Sequence, residues 1–370
     1  MQKKCKNSYF QNYLPVMLQK GSSFYASNIS PLFRFLRKTI YLRKFKKMQS
    51  VDKAISFLKK WLKTNRKKSF EDENLVFQPT FSTQEITPAE RKYCLIRDWK
   101  ISYIEQGKGK HVLLLVHGLG SEASHWQKNI SVWAEKFRVI AIDLPGYGSS
   151  EKRDFIPREG MINFFADILL DFLKVTIANE EITLVGHSMG GQTAMLFAAK
   201  YPEKVKKLVL LAPAGIEEYS QRQVGMLDNL LSFYPVVGKN QTAIRLGFRH
   251  NFHKMPPDAE PLIQERIALA ESEIYPLYCK MITQCIRAII TTKVDYARIK
   301  APALVVFGEN DKLIPNSVFN PKLKPMHIAD RAGKLIADSS VVMLKDTGHF
   351  LQFENADVVN KLVADFVFSA

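Results

Sequence analysis

The strongest chemical signal in this chain is a serine set between glycines at the end of an apolar run. Ile182–Val185, apolar but for Thr183, leads into Gly186-His187-Ser188-Met189-Gly190-Gly191. A serine hydroxyl becomes a nucleophile when it projects from a sharp turn and a base can take its proton. A G-x-S-x-G turn between a buried strand and a helix meets the first condition. Side chains in place of Gly186 and Gly190 would collide with neighbouring backbone there. The helix predicted from near Gly191 would point its positive end at the reacting centre.

Attack on a carbonyl puts negative charge on its oxygen, which two N–H donors should meet. The amide of Met189, directly after the serine, is one. The second is expected from His117-Gly118-Leu119-Gly120, which follows the apolar run Val112–Val116. Gly118 and Gly120 let that loop approach closely, and the amide of Leu119 is the expected donor. His117 reads as a histidine that shapes the loop rather than as the base.

The base must be a histidine on a loop at the same edge. Of eight histidines, His349 is the best placed: Asp346-Thr-Gly-His-Phe350 follows the last apolar run, Val341–Leu344, and precedes a helical pattern over 357–368. His327 falls in a segment expected to be a loop. His250 and His253 are three residues apart and lack a third ligand, so no metal site is expected. An acid should orient the base and stabilise its cation. Gly308-Glu309-Asn310-Asp311, after the run Ala303–Phe307, offers both Glu309 and Asp311.

The elements that would carry these groups alternate. Buried runs at 112–116, 138–142, 182–185, 208–211, 303–307 and 341–344 are separated by helical patterns such as Ile162–Val175 and Thr193–Lys200. Lys92–Ile96 and Lys100–Glu105 read as a hairpin around Arg97–Trp99. This rhythm predicts an α/β fold with a mostly parallel eight-stranded sheet and helices on both faces. A crossover needs only about a dozen residues, so residues 217–300 read as an inserted helical lid. The core would comprise residues 91–216 and 301–370.

Composition narrows the function. Residues 1–70 hold 18 Lys and Arg against one acid, Asp52, which accounts for the whole net charge of +17. The remainder is neutral, so no nucleic-acid partner is expected. Val51, Ile55, Leu58 and Leu62 share one helical face, with lysines mostly on the other. Residues 51–63 are therefore a candidate for peripheral membrane contact. Residues 71–90 form a polar connector. The expected location is cytoplasmic or at a membrane surface, with organelle targeting by the basic leader, or a start at Met48, left open. Cys5, Cys94, Cys279 and Cys285 form no C-x-x-C pair, so neither a disulfide framework nor a zinc site is indicated.

Taken in order, HGLG (117–120), DLPGYGSS (143–150), GHSMGG (186–191), GENDKLIP (308–315) and DTGHF (346–350) resemble the α/β-hydrolase superfamily over about residues 90–368. The resemblance implies the order Ser188, Asp311, His349 and so favours Asp311 over Glu309. It implies no cofactor, and it gives Asp143 a structural turn. The stretch around 186–217 is similar to the monoacylglycerol-lipase-like and carboxylesterase branch. The expected activity is hydrolysis of hydrophobic carboxylic esters through an acyl-enzyme. The alternatives are a carbon–carbon bond hydrolase or acyltransferase with the same triad, or a low-turnover ligand-binding receptor.

Overall fold

Arg97 and Asp98 both have positive φ, 48° and 65°. A two-residue turn of that hand matches the twist of paired strands, and it joins β1 (Arg91–Ile96) to β2 (Trp99–Gln106) as an antiparallel hairpin. The computed structural model describes residues 91–369 except 178–179 and 233. The basic segment 1–70, its stretch 51–63 and the connector 71–90 lie outside the described residues.

Six further strands complete the sheet: β3 (Val112–Val116), β4 (Arg138–Ile142), β5 (Ile182–His187), β6 (Val205–Leu211), β7 (Ala303–Gly308) and β8 (Ser339–Leu344). Their spatial order is β1-β2-β4-β3-β5-β6-β7-β8. β2 meets β4 antiparallel, and every pairing from β4 to β8 is parallel. Every residue of β3, β5 and β7 is buried, as expected of parallel strands covered on both faces.

The sheet is flanked by α1 (Gln127–Ala134), α2 (Met161–Thr176), α3 (Met189–Lys200), α9 (Pro325–Leu335), α10 (Leu351–Glu354) and α11 (Ala356–Phe368). α2 packs against α3, α1 against α11, and α9 against β7 and β8. Between β6 and β7 the chain forms α4 (Gln221–Leu231), α5 (Tyr234–Val237), α6 (Gln241–His250), α7 (Glu260–Glu271) and α8 (Tyr275–Thr291). No helix among the described residues is long and apolar enough to cross a membrane.

Two local expectations change. α3 begins at Met189, not near Gly191, because the turn at Ser188 already leads into helical geometry. His327 lies in the first turn of α9, not in a loop: Pro325 opens that helix and the His327 Nδ1 accepts the Lys324 N–H at 2.9 Å.

Asp143 anchors the turn after β4. Its fully buried carboxylate accepts the N–H groups of Ala123 (2.7 Å) and Ser149 (3.0 Å), and pairs with the Arg91 guanidinium at 2.5 Å. Asp143→Ala leaves all three donors without their acceptor. The expected loss is about 3 kcal/mol of folding stability, read as a lower denaturant midpoint with an unchanged slope.

Candidate active site

Each side chain of the site sits just past the carboxyl end of a parallel strand. Ser188 joins β5 to α3 with φ 54° and ψ −117°, a conformation few L-residues adopt. The surroundings hold it there. The Ser188 N–H donates to the Leu211 carbonyl at the end of β6, and the Ser188 carbonyl accepts the N–H groups of Gln192 and Ala214. A Cβ on Gly186 would come 2.4 Å from the Gly190 oxygen, and one on Gly190 would come 2.2 Å from the Val116 oxygen. Neither position admits a side chain.

The loops after β7 and β8 are zipped together. The Glu309 N–H donates to Leu344 O, and the Asn310 N–H to Thr347 O, both at 2.9 Å. This brings Asp311 to His349. Asp311 Oδ1 accepts the N–H groups of Leu313 (2.7 Å) and Ile314 (2.9 Å), while Oδ2 accepts the His349 Nδ1–H at 2.7 Å. Glu309, the other acid, is exposed, whereas Asp311 is buried. The remaining nitrogen, His349 Nε2, accepts the Ser188 hydroxyl at 2.9 Å. An imidazole whose Nδ1–H is held by a carboxylate presents a lone pair at Nε2, so this arrangement can draw a proton from the serine.

The supporting positions surround this chain. Met189 opens α3, and the first amides of a helix have no intrahelical acceptor. Its side chain is buried, with the sulfur 3.9 Å from the Tyr147 hydroxyl. Leu119 follows β3 in the facing loop. His117 is buried away from Ser188. Its Nδ1–H donates to Gly118 O (2.8 Å) and its Nε2 accepts the Leu144 N–H (3.1 Å). Burial lowers its pKa, so it stays neutral. Gly118 lies against His187 and Ser188. Gly120, at φ 67°, lies against Arg266.

Three residues were not singled out from sequence. Arg266, half-buried on α7, donates to Gly120 O and to the Tyr278 hydroxyl, and its guanidinium stacks on the Tyr278 ring at 4.8 Å. Burial works against its charge. Among the described residues no carboxylate forms an ion pair with it. It falls three and four residues after the buried Ile263 and Leu262, so a cation on the apolar stripe of a helix was the available signal. His187 and Glu354 lie beside His349 and had no such signal.

A cavity of about 160 Å³ borders the Gly120 loop, lined among others by Glu122, His125, Tyr147, Lys152, Arg266 and Tyr278. A larger one, about 380 Å³, lies between α4, α5 and α8, but none of Ser188, Asp311 or His349 lines it. None of those three residues lines the smaller cavity either; what distinguishes it is that it borders the Gly120 loop, which follows β3 and faces Ser188 through Gly118. Among the described residues there is no group of three or more His, Cys, Asp or Glu able to hold a metal ion.

The pattern of the alpha/beta hydrolase fold family matches residues 111–356. The chain belongs to the α/β-hydrolase family. It is similar to a 2-hydroxy-6-oxononadienedioate/2-hydroxy-6-oxononatrienedioate hydrolase of Paraburkholderia phymatum: 28% identity over 278 residues, covering 72% of this chain and 91% of that protein. It is also similar to a 2-hydroxy-6-oxo-6-phenylhexa-2,4-dienoate hydrolase of Comamonas testosteroni, at 29% identity over 284 residues, covering 74% and 92%. Among solved structures, a probable hydrolytic enzyme of Pseudomonas aeruginosa superposes with a TM-score of 0.67 at 20% identity, covering 76% of this chain and 94% of that one. This α/β hydrolase is an enzyme of the hydrolase class. The names of these two relatives do not confirm the acylglycerol-lipase branch that the 186–217 stretch suggests.

Proposed function

We propose that this α/β hydrolase cleaves the carbon–carbon bond next to a ketone in a small substrate that carries a carboxylate. Ser188 is the nucleophile, His349 the general base and then general acid, and Asp311 the residue that orients and stabilises the imidazolium. The amides of Leu119 and Met189 receive the oxyanion. The observation that carries the substrate reading is Arg266: a half-buried guanidinium without a carboxylate partner among the described residues, at the edge of the cavity by Gly120. A cation so placed favours an anionic ligand.

The names of these two relatives fit that requirement, since each describes an unsaturated 2-hydroxy-6-oxo carboxylate, a dicarboxylate in the first. In such a molecule the ketone is the electrophile. The dienol first ketonises, its hydroxyl proton moving to the carbon beside the 6-ketone. When the C–C bond then breaks, the electron pair left on that carbon is conjugated with the new 2-ketone, and the leaving group departs as a dienolate with its charge toward the carboxylate end. Water then releases the acyl group from Ser188, so the sum is one water added across one C–C bond.

The test pairs 2-hydroxy-6-oxo-6-phenylhexa-2,4-dienoate with neutral p-nitrophenyl butyrate. The dienoate should be turned over, seen as loss of its long-wavelength absorbance. Arg266→Gln should lower kcat/KM on it by at least about 30-fold. Some loss on the neutral ester is expected as well, since Arg266 also holds Gly120 O. The excess on the dienoate reads the carboxylate contact. Equal losses on both substrates, with the ester preferred by the unaltered enzyme, would overturn the anionic-substrate reading.

That outcome would favour a second reading, hydrolysis of hydrophobic esters. The observation behind it is the set of exposed apolar side chains on the insertion: Leu230, Val236 and Leu246 are 48%, 72% and 46% exposed. Apolar side chains gathered on one insertion are suited to covering acyl chains.

A further inference from the structure

We propose that His187 and Glu354 are positioning residues that hold His349 through the backbone around it, His187 at the His349 carbonyl and Glu354 at the N–H of the preceding Gly348. The proposal rests on the reading of His349 as the base. His349 belongs to no strand or helix, yet its ring must satisfy an acid and a serine at once. A small rotation about its backbone would swing Nε2 away from the Ser188 oxygen by about an ångström, a misplacement that can cost about a hundredfold in rate.

His187 holds the carbonyl side. Its Nε2–H donates to the His349 carbonyl oxygen at 3.0 Å, and the two rings lie 4.9 Å apart, centre to centre. Its other nitrogen, Nδ1, is buried without a hydrogen-bond partner. That atom faces the oxyanion loop: a Cβ on Gly118 would come 2.8 Å from it. The His187 ring therefore fills the space between loop and base, and its one hydrogen bond goes to the base. A charged imidazole here would oppose the cation that His349 must become. Burial, with the neighbouring His349 as a lesser cause, keeps His187 well below its ordinary pKa, so it is a neutral donor.

Glu354 holds the amide side. One carboxylate oxygen accepts the N–H of Gly348, the residue before His349, at 2.7 Å, and that of His253 at 3.1 Å. The other oxygen accepts the Lys254 N–H at 2.7 Å. A single carboxylate thus ties the base loop to the segment that follows α6. The Phe350 N–H donates to Asn251 O at 2.8 Å and adds a second tie between the same segments. The peptide unit after the His349 Cα and the one that begins Gly348 are thus each held by a side chain that makes no hydrogen bond to the Ser188 hydroxyl or the Asp311 carboxylate.

The test measures kcat, KM and melting temperature for the full chain and its variants. His187→Phe keeps a ring and loses only the Nε2–H donor, because Nδ1 has no partner to lose. His187→Gln restores an N–H at similar reach. Glu354→Ala removes the acceptor, and Glu354→Gln returns one acceptor oxygen. His187→Phe and Glu354→Ala should each lower kcat by about 10- to 100-fold and leave KM within about threefold. The two glutamine variants should recover most of the loss. The double variant should lose less than the product of the single losses, because both act on one backbone segment.

An unchanged kcat in either deletion variant would overturn the proposal. So would losses that multiply in the double variant without recovery in the glutamine forms, which is the mark of separate packing damage. If Glu354→Ala does not fold, Glu354→Met, which fills the space without an acceptor, takes its place in the cycle with the same criterion. Ser188→Ala, measured alongside, separates the two layers. If it retains turnover, the reading of the triad has failed. If it is inactive while His187→Phe and Glu354→Ala match the unaltered kcat, only the positioning proposal has failed.

Discussion

Replacing Ser188 with alanine is expected to lower turnover by at least about 10³-fold with little change in melting temperature. The Ser188 hydroxyl has its hydrogen bond to His349 Nε2, whereas the turn is held by backbone contacts to Leu211, Gln192 and Ala214. Alanine at φ 54° bears the same backbone strain as serine. The variant should therefore fold, bind and fail at the first bond-forming step. Residual rate over water would come from binding and from the two loop amides. A fluorophosphonate should label the unaltered enzyme at Ser188 and leave the variant unlabelled. Undiminished turnover of both the dienoate and the ester by a folded Ser188→Ala variant would remove the serine from the mechanism, however good its geometry.

The site was legible in the sequence to the extent that backbone geometry dictates residue type. Gly186 and Gly190 are readable because a single added carbon there meets a main-chain oxygen. The runs of β3, β5 and β7 are readable because both faces are covered. Each marks a strand whose far end must carry a loop, and Ser188 and Asp311 follow β5 and β7 in that way; His349 follows β8, which is only partly buried. Arg266, His187 and Glu354 are different. The contacts that tie them to the site are to backbone carbonyl oxygens or amide N–H groups, which almost any residue supplies, so no pairing of residue types betrays them; the Tyr278 partner of Arg266 lies within the inserted helices. Arg266 depends on where α7 lies over the Gly120 loop, and neither periodicity nor spacing specifies that. The same reasoning explains the branch assignment. GHSMGG encodes the shape of a turn, which hydrolases of many substrates share. On the proposed reading, substrate choice rests on Arg266 in the helices between β6 and β7, where the sequence shows only amphipathic patterns.

Asp311→Asn should lower kcat by roughly 10⁴-fold while leaving KM and stability nearly as they are. The reason lies in the other oxygen of Asp311. Oδ1 accepts two backbone N–H groups, from Leu313 and Ile314. An asparagine must place its carbonyl oxygen there, because its NH₂ group would face two donors. The NH₂ is then forced onto the position of Oδ2, against His349 Nδ1. Nδ1 can meet that donor only as an acceptor, so the ring proton moves to Nε2, which now points a hydrogen at the Ser188 oxygen. The imidazole remains in place and can no longer take the serine proton. Because the acid loop is bonded to the base loop through Glu309 and Asn310 rather than through Asp311 alone, the geometry should survive the substitution. A crystal structure of the variant should show the Ser188–His349 distance within about 0.3 Å of its original value beside a nearly inactive enzyme. A folded variant with wild-type kcat would mean that the proton on His349 is placed by something other than this carboxylate.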